Sequence, residues 1–88
     1  MQVFLHHTAD KYLDRLSEPY KGQIITALAD LEKEPPEGDI RPMAGQPDRF
    51  RLKVGNFRAL FHIENNSIVV SHIAPRGQAY KKKTRGRK

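Results

Sequence analysis

Eighty-eight residues, 38% of them hydrophobic, suffice for one small domain with a modest core and leave no room for a second. The absence of cysteine excludes a disulfide framework and thiolate metal sites, and no apolar run approaches the ~20 residues that cross a bilayer. The formal charge of +6 is uneven: residues 1–40 hold four basic and eight acidic side chains, residues 41–80 six and two, and residues 81–88 six cations.

The folded body is therefore roughly neutral but polarised, and its positive half points to a polyanionic partner. The start of the chain has neither a secretory basic region nor a long apolar one, and a cytoplasmic location is expected. No His, Asp or Glu spacing predicts a metal site, and no cofactor is expected.

In chain order, Gln2–His6 reads as a short strand. Thr8 is the expected N-cap of a first helix that carries Ala9, Tyr12, Leu13 and Leu16 on one face. Ser17-Glu18-Pro19 interrupts it, since a proline without an amide hydrogen suits a first helical turn. A second helix then presents Tyr20, Ile24, Ala27, Leu28 and Leu31, and Pro35-Pro36 stops it. Glu37–Pro42 reads as a polar connection and Met43–Pro47 as a loop or short edge strand. The acidic stretch Asp30–Asp39 reads as a solvated helix end.

The strongest pattern follows. Phe50, Leu52 and Val54 alternate with Arg49, Arg51 and Lys53, and Gly55-Asn56 suits a two-residue reversal. Phe57, Ala59, Phe61 and Ile63 resume the alternation. This register puts Val54 opposite Phe57, and Lys53 opposite Arg58, an unfavourable juxtaposition of like charges unless an anion sits between them. Asn65-Asn66 is a good turn pair, because Asn tolerates positive φ. Ile68–Ile73 then forms a further strand, with Ile63 facing Ile68, Phe61 facing Val70, and His72 on the core side near Ala59. The opposite face would carry Arg51, Lys53, Leu60, His62, Val69 and Ser71, with Arg58 beside them.

Residues 43–58, from Met43-Ala44-Gly45 through Arg49-Phe50-Arg51-Leu52-Lys53 to Gly55-Asn56-Phe57-Arg58, resemble the central hairpin of the RelE/ParE superfamily, toxins of type II toxin–antitoxin pairs. The similarity continues through Ala59–Ile63 and Ile68–Val70 and ends at Arg76-Gly77-Gln78-Ala79-Tyr80. The resemblance implies an α+β fold: a short N-terminal strand and a two-helix hairpin packed on one face of an antiparallel sheet of about four strands. It further implies a single toxin domain over residues 1–80, followed by a basic, disordered tail over 81–88. The expected partners are a cognate antitoxin protein and, in the RelE branch, mRNA on the ribosome with its 16S rRNA. Neither a membrane nor a small-molecule cofactor is expected.

RelE-like enzymes are ribosome-dependent mRNA endonucleases that inhibit translation, with the ribose 2′-hydroxyl attacking the adjacent phosphate. By resemblance the catalytic set is Lys53, Arg58, Arg76 and Tyr80. Arg58 and Arg76 suit the charge of the phosphorane, because a guanidinium fork matches phosphate oxygens and stays protonated. Lys53 is the hairpin cation able to exchange a proton and is the candidate base. Tyr80 is able to stack on a base or exchange a proton, and the acid is unassigned. Arg49, Arg51, His62, Lys81, Lys82 and Lys83 are expected to bind RNA or phosphate. The chain departs from the family pattern at Arg51, where a Lys often stands, and in lacking the His-rich site of some relatives. Arg76 is equally able to pair with Glu64 or Asp48. Two other functions stay open: a ParE-like inhibitor of DNA gyrase without nuclease activity, and a non-toxic RNA-binding module.

Overall fold

The computed structural model describes residues 1–76. Strand β1 (Val3–Leu5) leads into helices α1 (His7–Arg15) and α2 (Tyr20–Leu31), and β2 (Asp39–Met43), β3 (Gln46–Val54), β4 (Phe57–Glu64) and β5 (Ser67–Pro75) follow. The strands form one sheet in the order β1-β5-β4-β3-β2, and both helices pack against it. Tyr80, Lys81, Lys82, Lys83 and the expected tail lie outside the described residues.

Both helices start where side chains satisfy amides that have no partner within the helix. For α1 the cap is His6 rather than Thr8: its Nδ1 accepts the Thr8 amide at 3.3 Å. A ring nitrogen here takes the place of the expected hydroxyl. Asp10 in the first turn and Arg15 in the last complement the helix dipole. For α2, Pro19 stands at the N-cap without a side-chain bond, and Glu18 Oε1 instead accepts the Gly22 amide at 3.0 Å. Ala9 and Leu13 of α1, and Ile24, Leu28 and Leu31 of α2, are buried. Tyr20, expected on that apolar stripe, is about half exposed and lies against Phe57, with ring centroids 5.6 Å apart. Beyond α2, Lys33 bridges Asp30 and Glu37 at 3.2 and 3.3 Å.

The hairpin has the register expected of it: Val54 pairs with Phe57, and Lys53 with Arg58. Gly55 sits at φ 57°, as the first loop position of a type II′ turn requires. Asn65 and Asn66 both take positive φ, at 51° and 59°, and set Ile63 opposite Ile68. Inward-facing residues of adjacent strands make apolar rows. Ile40, Leu52, Ala59 and Ile73 form one, and Pro42, Phe50, Phe61, Val70 and Leu5 another. The Phe50 and Phe61 rings stack at 5.4 Å.

Three features of the sheet differ from the sequence expectation. The sheet has five strands and is mixed, because β1 runs parallel to β5 at one edge. The polar connection is partly strand β2, which pairs with β3 at the other edge; Pro42 is tolerated there because its missing N–H breaks no interior ladder. A bulge in β5, opposite Leu60 and Phe61, inserts Ser71 without a Cα partner. His72 therefore pairs with Leu60 on the outer face, and Ile73 takes the buried place beside Ala59. One extra residue exchanges the two faces of everything after it.

Candidate nucleic-acid interface

The face of the sheet turned away from the helices carries three transverse rows. The first is Asp39, Lys53, Arg58 and Ala74; the second is Arg41, Arg51, Leu60 and His72. The third is Arg49, His62, Val69 and Phe4. Five cations thus share the face with one carboxylate among these twelve residues. Leu60, Val69 and a half-exposed Phe4 give it an apolar component.

Alternation along the strands puts the cations here. Leu52 at 1% exposure is driven into the core, and its neighbours Arg51 and Lys53 must then point outward. Like charges are opposed twice, Lys53 across from Arg58 and Arg41 across from Arg51. Neutralisation is sparse. Arg41 Nε lies 3.6 Å from Asp39, whereas Arg51, Lys53, Arg58 and Arg76 form no ion pair among the described residues. Arg76 therefore pairs with neither Glu64 nor Asp48; its backbone amide bonds to the Asn56 carbonyl, at the hairpin turn. That bond brings the start of the C-terminal segment to the Lys53–Arg58 end of the face.

Arg58 differs from the others in being only 8% exposed, and its Nη1 donates to the Phe57 carbonyl at 3.2 Å. Such a guanidinium keeps donors for a ligand while its stem is packed. At the opposite end Arg49 Nη1 lies 3.4 Å from His62 Nδ1, and His62 Nε2 lies 2.9 Å from Glu64 Oε1. Ser71 Oγ donates to the Leu60 carbonyl at 3.3 Å and so ties down the bulge. Among the described residues no three potential metal ligands come together. No described helix is long and apolar enough to cross a membrane.

The face unites Arg49, Arg51, Lys53, Arg58 and His62 as expected, and the bulge adds His72 beside Ser71, whose Oγ lies 3.4 Å from His72 Nδ1. It also contains Arg41, Asp39 and Phe4, which sequence reasoning missed. A weak signal existed for Arg41: Asp39-Ile40-Arg41 alternates in the same sense as β3, but Pro42 obscures it. The arrangement suits an extended anion, since guanidinium forks at strand spacing offer parallel N–H pairs to successive phosphates.

Residues 3–80 match the sequence pattern of the family described as "ParE toxin of type II toxin-antitoxin system, parDE". No curated protein matches the chain. The fold is similar to the RelB–RelE antitoxin–toxin complex of Methanococcus jannaschii, with TM-score 0.74 and 17% identity over 90% of this chain and 96% of that one. It is also similar to the RelE–RelB complex of Pyrococcus horikoshii OT3, with TM-score 0.71 and 24% identity over 88% and 96%. A mutant of E. coli toxin RelE in the free state matches with TM-score 0.71 and 15% identity over 94% and 90%. These identities speak to fold. The family pattern spans almost the whole sequence, and the chain belongs to that family: it is a RelE/ParE-superfamily toxin of a type II toxin–antitoxin system.

Proposed function

We propose that this toxin is a ribosome-dependent mRNA endonuclease, held in check by a cognate antitoxin that covers part of its surface. The observation that carries this reading is the opposed Lys53–Arg58 pair, without a carboxylate partner among the described residues and with Arg76 starting nearby. Two cations held together at a cost of several tenths of a kcal/mol suit a ligand with a concentrated negative charge.

In this reading Lys53 takes the proton of the ribose 2′-hydroxyl, which attacks the adjacent phosphorus as the bond to the 5′-oxygen breaks. Arg58 and Arg76 carry the charge that builds on the phosphorane oxygens. Tyr80 stacks on a base or exchanges a proton. Arg49, Arg51, His62, Lys81, Lys82 and Lys83 contact the RNA backbone, and residues 1–80 act as one domain. The chemistry needs no metal, and the ribosome supplies substrate geometry that a small open face does not. The antitoxin partner is supported by the folds this chain resembles, two of which are toxin–antitoxin complexes.

One observation favours a second reading. The matched family pattern is that of ParE toxins, and the ParE branch inhibits gyrase without cutting RNA. Primer extension on mRNA translated in vitro with the purified toxin separates the two. Nuclease action predicts cuts in the ribosomal A site that vanish in Arg58→Ala and Arg76→Ala. Blocked supercoiling with intact mRNA would overturn it in favour of the gyrase inhibitor, and neither effect would leave a binding module. Full single-turnover cleavage by Lys53→Gln would remove Lys53 as the base.

A further inference from the structure

Beside the third row stands a carboxylate whose place next to a basic face is otherwise unexplained. Glu64 ends β4 immediately before the Asn65-Asn66 turn, and its Oε1 lies 2.9 Å from His62 Nε2. On the far side of the ring, His62 Nδ1 lies 3.4 Å from Arg49 Nη1. A guanidinium only donates, so Nδ1 is the acceptor and Nε2 carries the proton that Glu64 accepts. Both ring nitrogens are used, and the imidazole cannot turn without losing a bond. Glu64 therefore acts on Arg49 through the ring, not as its ion-pair partner. One of the five guanidinium N–H groups meets His62, and the others remain for an anion.

The rows are also regularly spaced. Arg49, Arg51 and Lys53 are two residues apart on one strand, so their rows repeat at about 7 Å. That repeat is comparable with the distance between successive phosphates of an extended single strand. The Lys53–Arg58 row and the Arg49 row, about 13 Å apart, are too distant to grip one phosphate.

We infer that the Arg49–His62–Glu64 cluster is a separate phosphate subsite for single-stranded RNA, remote from the Lys53–Arg58 pair, with Glu64 a positioning residue that pre-aims Arg49 through His62. The identity of the ligand rests on the nuclease reading, whereas the geometry of the subsite does not. The subsite contributes to binding and not to bond making. Its loss should raise KM and leave kcat unchanged, as for any interaction made equally in ground and transition states.

The sign of one substitution distinguishes this from simple electrostatics. Removing a negative charge from a basic face should tighten polyanion binding if Glu64 acts only through its charge. If Glu64 positions Arg49, Glu64→Ala should weaken binding instead. The test is anisotropy of a labelled 2′-O-methyl hexanucleotide, which cannot be cleaved, titrated with the full-length toxin across a salt series. Arg49→Ala and Glu64→Ala should each weaken binding several-fold and lower the salt slope by about one. The double variant should be no worse than Arg49→Ala, and Glu64→Gln, whose amide oxygen still accepts from Nε2, should retain binding.

Equal or tighter hexanucleotide binding by Glu64→Ala overturns the proposal, as does a wild-type protein that binds no hexanucleotide. Because no cleavage is read, the two ideas fail separately. A toxin that shows the expected pattern but never cuts translated mRNA keeps the subsite and loses the nuclease function. One that cuts, yet binds more tightly as Glu64→Ala, keeps the nuclease function and loses the subsite.

Discussion

The two faces of this sheet are made from the same strands, often from adjacent residues, and differ in nearly every physical respect. Phe61 is buried against stacked Phe50, while its neighbour His62 sits among cations on the outer face. The inner rows are apolar from edge to edge, and the outer rows oppose like charges twice. The contrast teaches that alternation lets a small domain separate the residues that hold it together from those it presents as a charged surface. A chain of 88 residues has few positions to spare, and a period of two lets one strand serve both purposes.

Substitutions should divide along the same line. Phe61→Ala should cost about 3–5 kcal/mol, read as a lower midpoint in urea, whereas His62→Ala next to it should stay within about 0.5 kcal/mol. Equal losses would mean that the outer face is structural as well. Gly38→Ala comes next, at about 1–3 kcal/mol. Gly38 has φ 141°, and a Cβ there would meet buried Leu52 Cδ1 at 2.7 Å, so the inner face is sealed at this end by backbone as well as side chain.

Arg58 is where the division could break, since it lies on the outer face and is nonetheless buried. Arg58→Met keeps an unbranched stem and should lose no more than about 1 kcal/mol while RNA binding falls. A larger loss of stability would show that its guanidinium helps to hold the fold. The smallest effect concerns Tyr12, whose hydroxyl is held above the ordinary tyrosine value by burial. The unfolded chain then ionises first, so the Tyr12 contribution is intact below about pH 10 and is lost as pH rises further. Lys33, raised by Asp30 and Glu37, adds to the same alkaline decline. Tyr12→Phe should make that decline shallower in a series of denaturation midpoints against pH, and an unchanged slope would count against the burial effect.

How much of this was legible in sequence depended on how local the determining contact is. The hairpin register follows from Gly55-Asn56 and alternation over a few residues, and Asn65-Asn66 set Ile63 against Ile68 in the same way. The bulge at Ser71 leaves no comparable local mark, and it moves His72 to the other face. The parallel pairing of Val3–Leu5 with Ile68–Val70 joins segments more than sixty residues apart, and nothing within a three-residue strand specifies its partner. Strand β2 was hidden because Gly38 and Pro42 are loop-like residues that an edge position tolerates. Among the candidate site residues, Arg49 through Arg58 were legible because their places depend on the hairpin alone. The coupling of Glu64 to Arg49 was not, because it passes through a ring orientation rather than a spacing.

The short first strand has a consequence of its own. In its parallel pairing Phe4 bonds inward to β5, which leaves the Val3 amide pointing away from the sheet, and Glu32 Oε2 accepts that amide at 2.8 Å. Glu34 meanwhile holds the terminal ammonium of Met1 at 2.7 Å. Two carboxylates thus guard the rim where another chain could otherwise extend the sheet, and an approaching strand would have to displace a charge before gaining a hydrogen bond. The outer amide of this edge is thus already spent on an acid, and strand addition there starts from a charge rather than from a free donor.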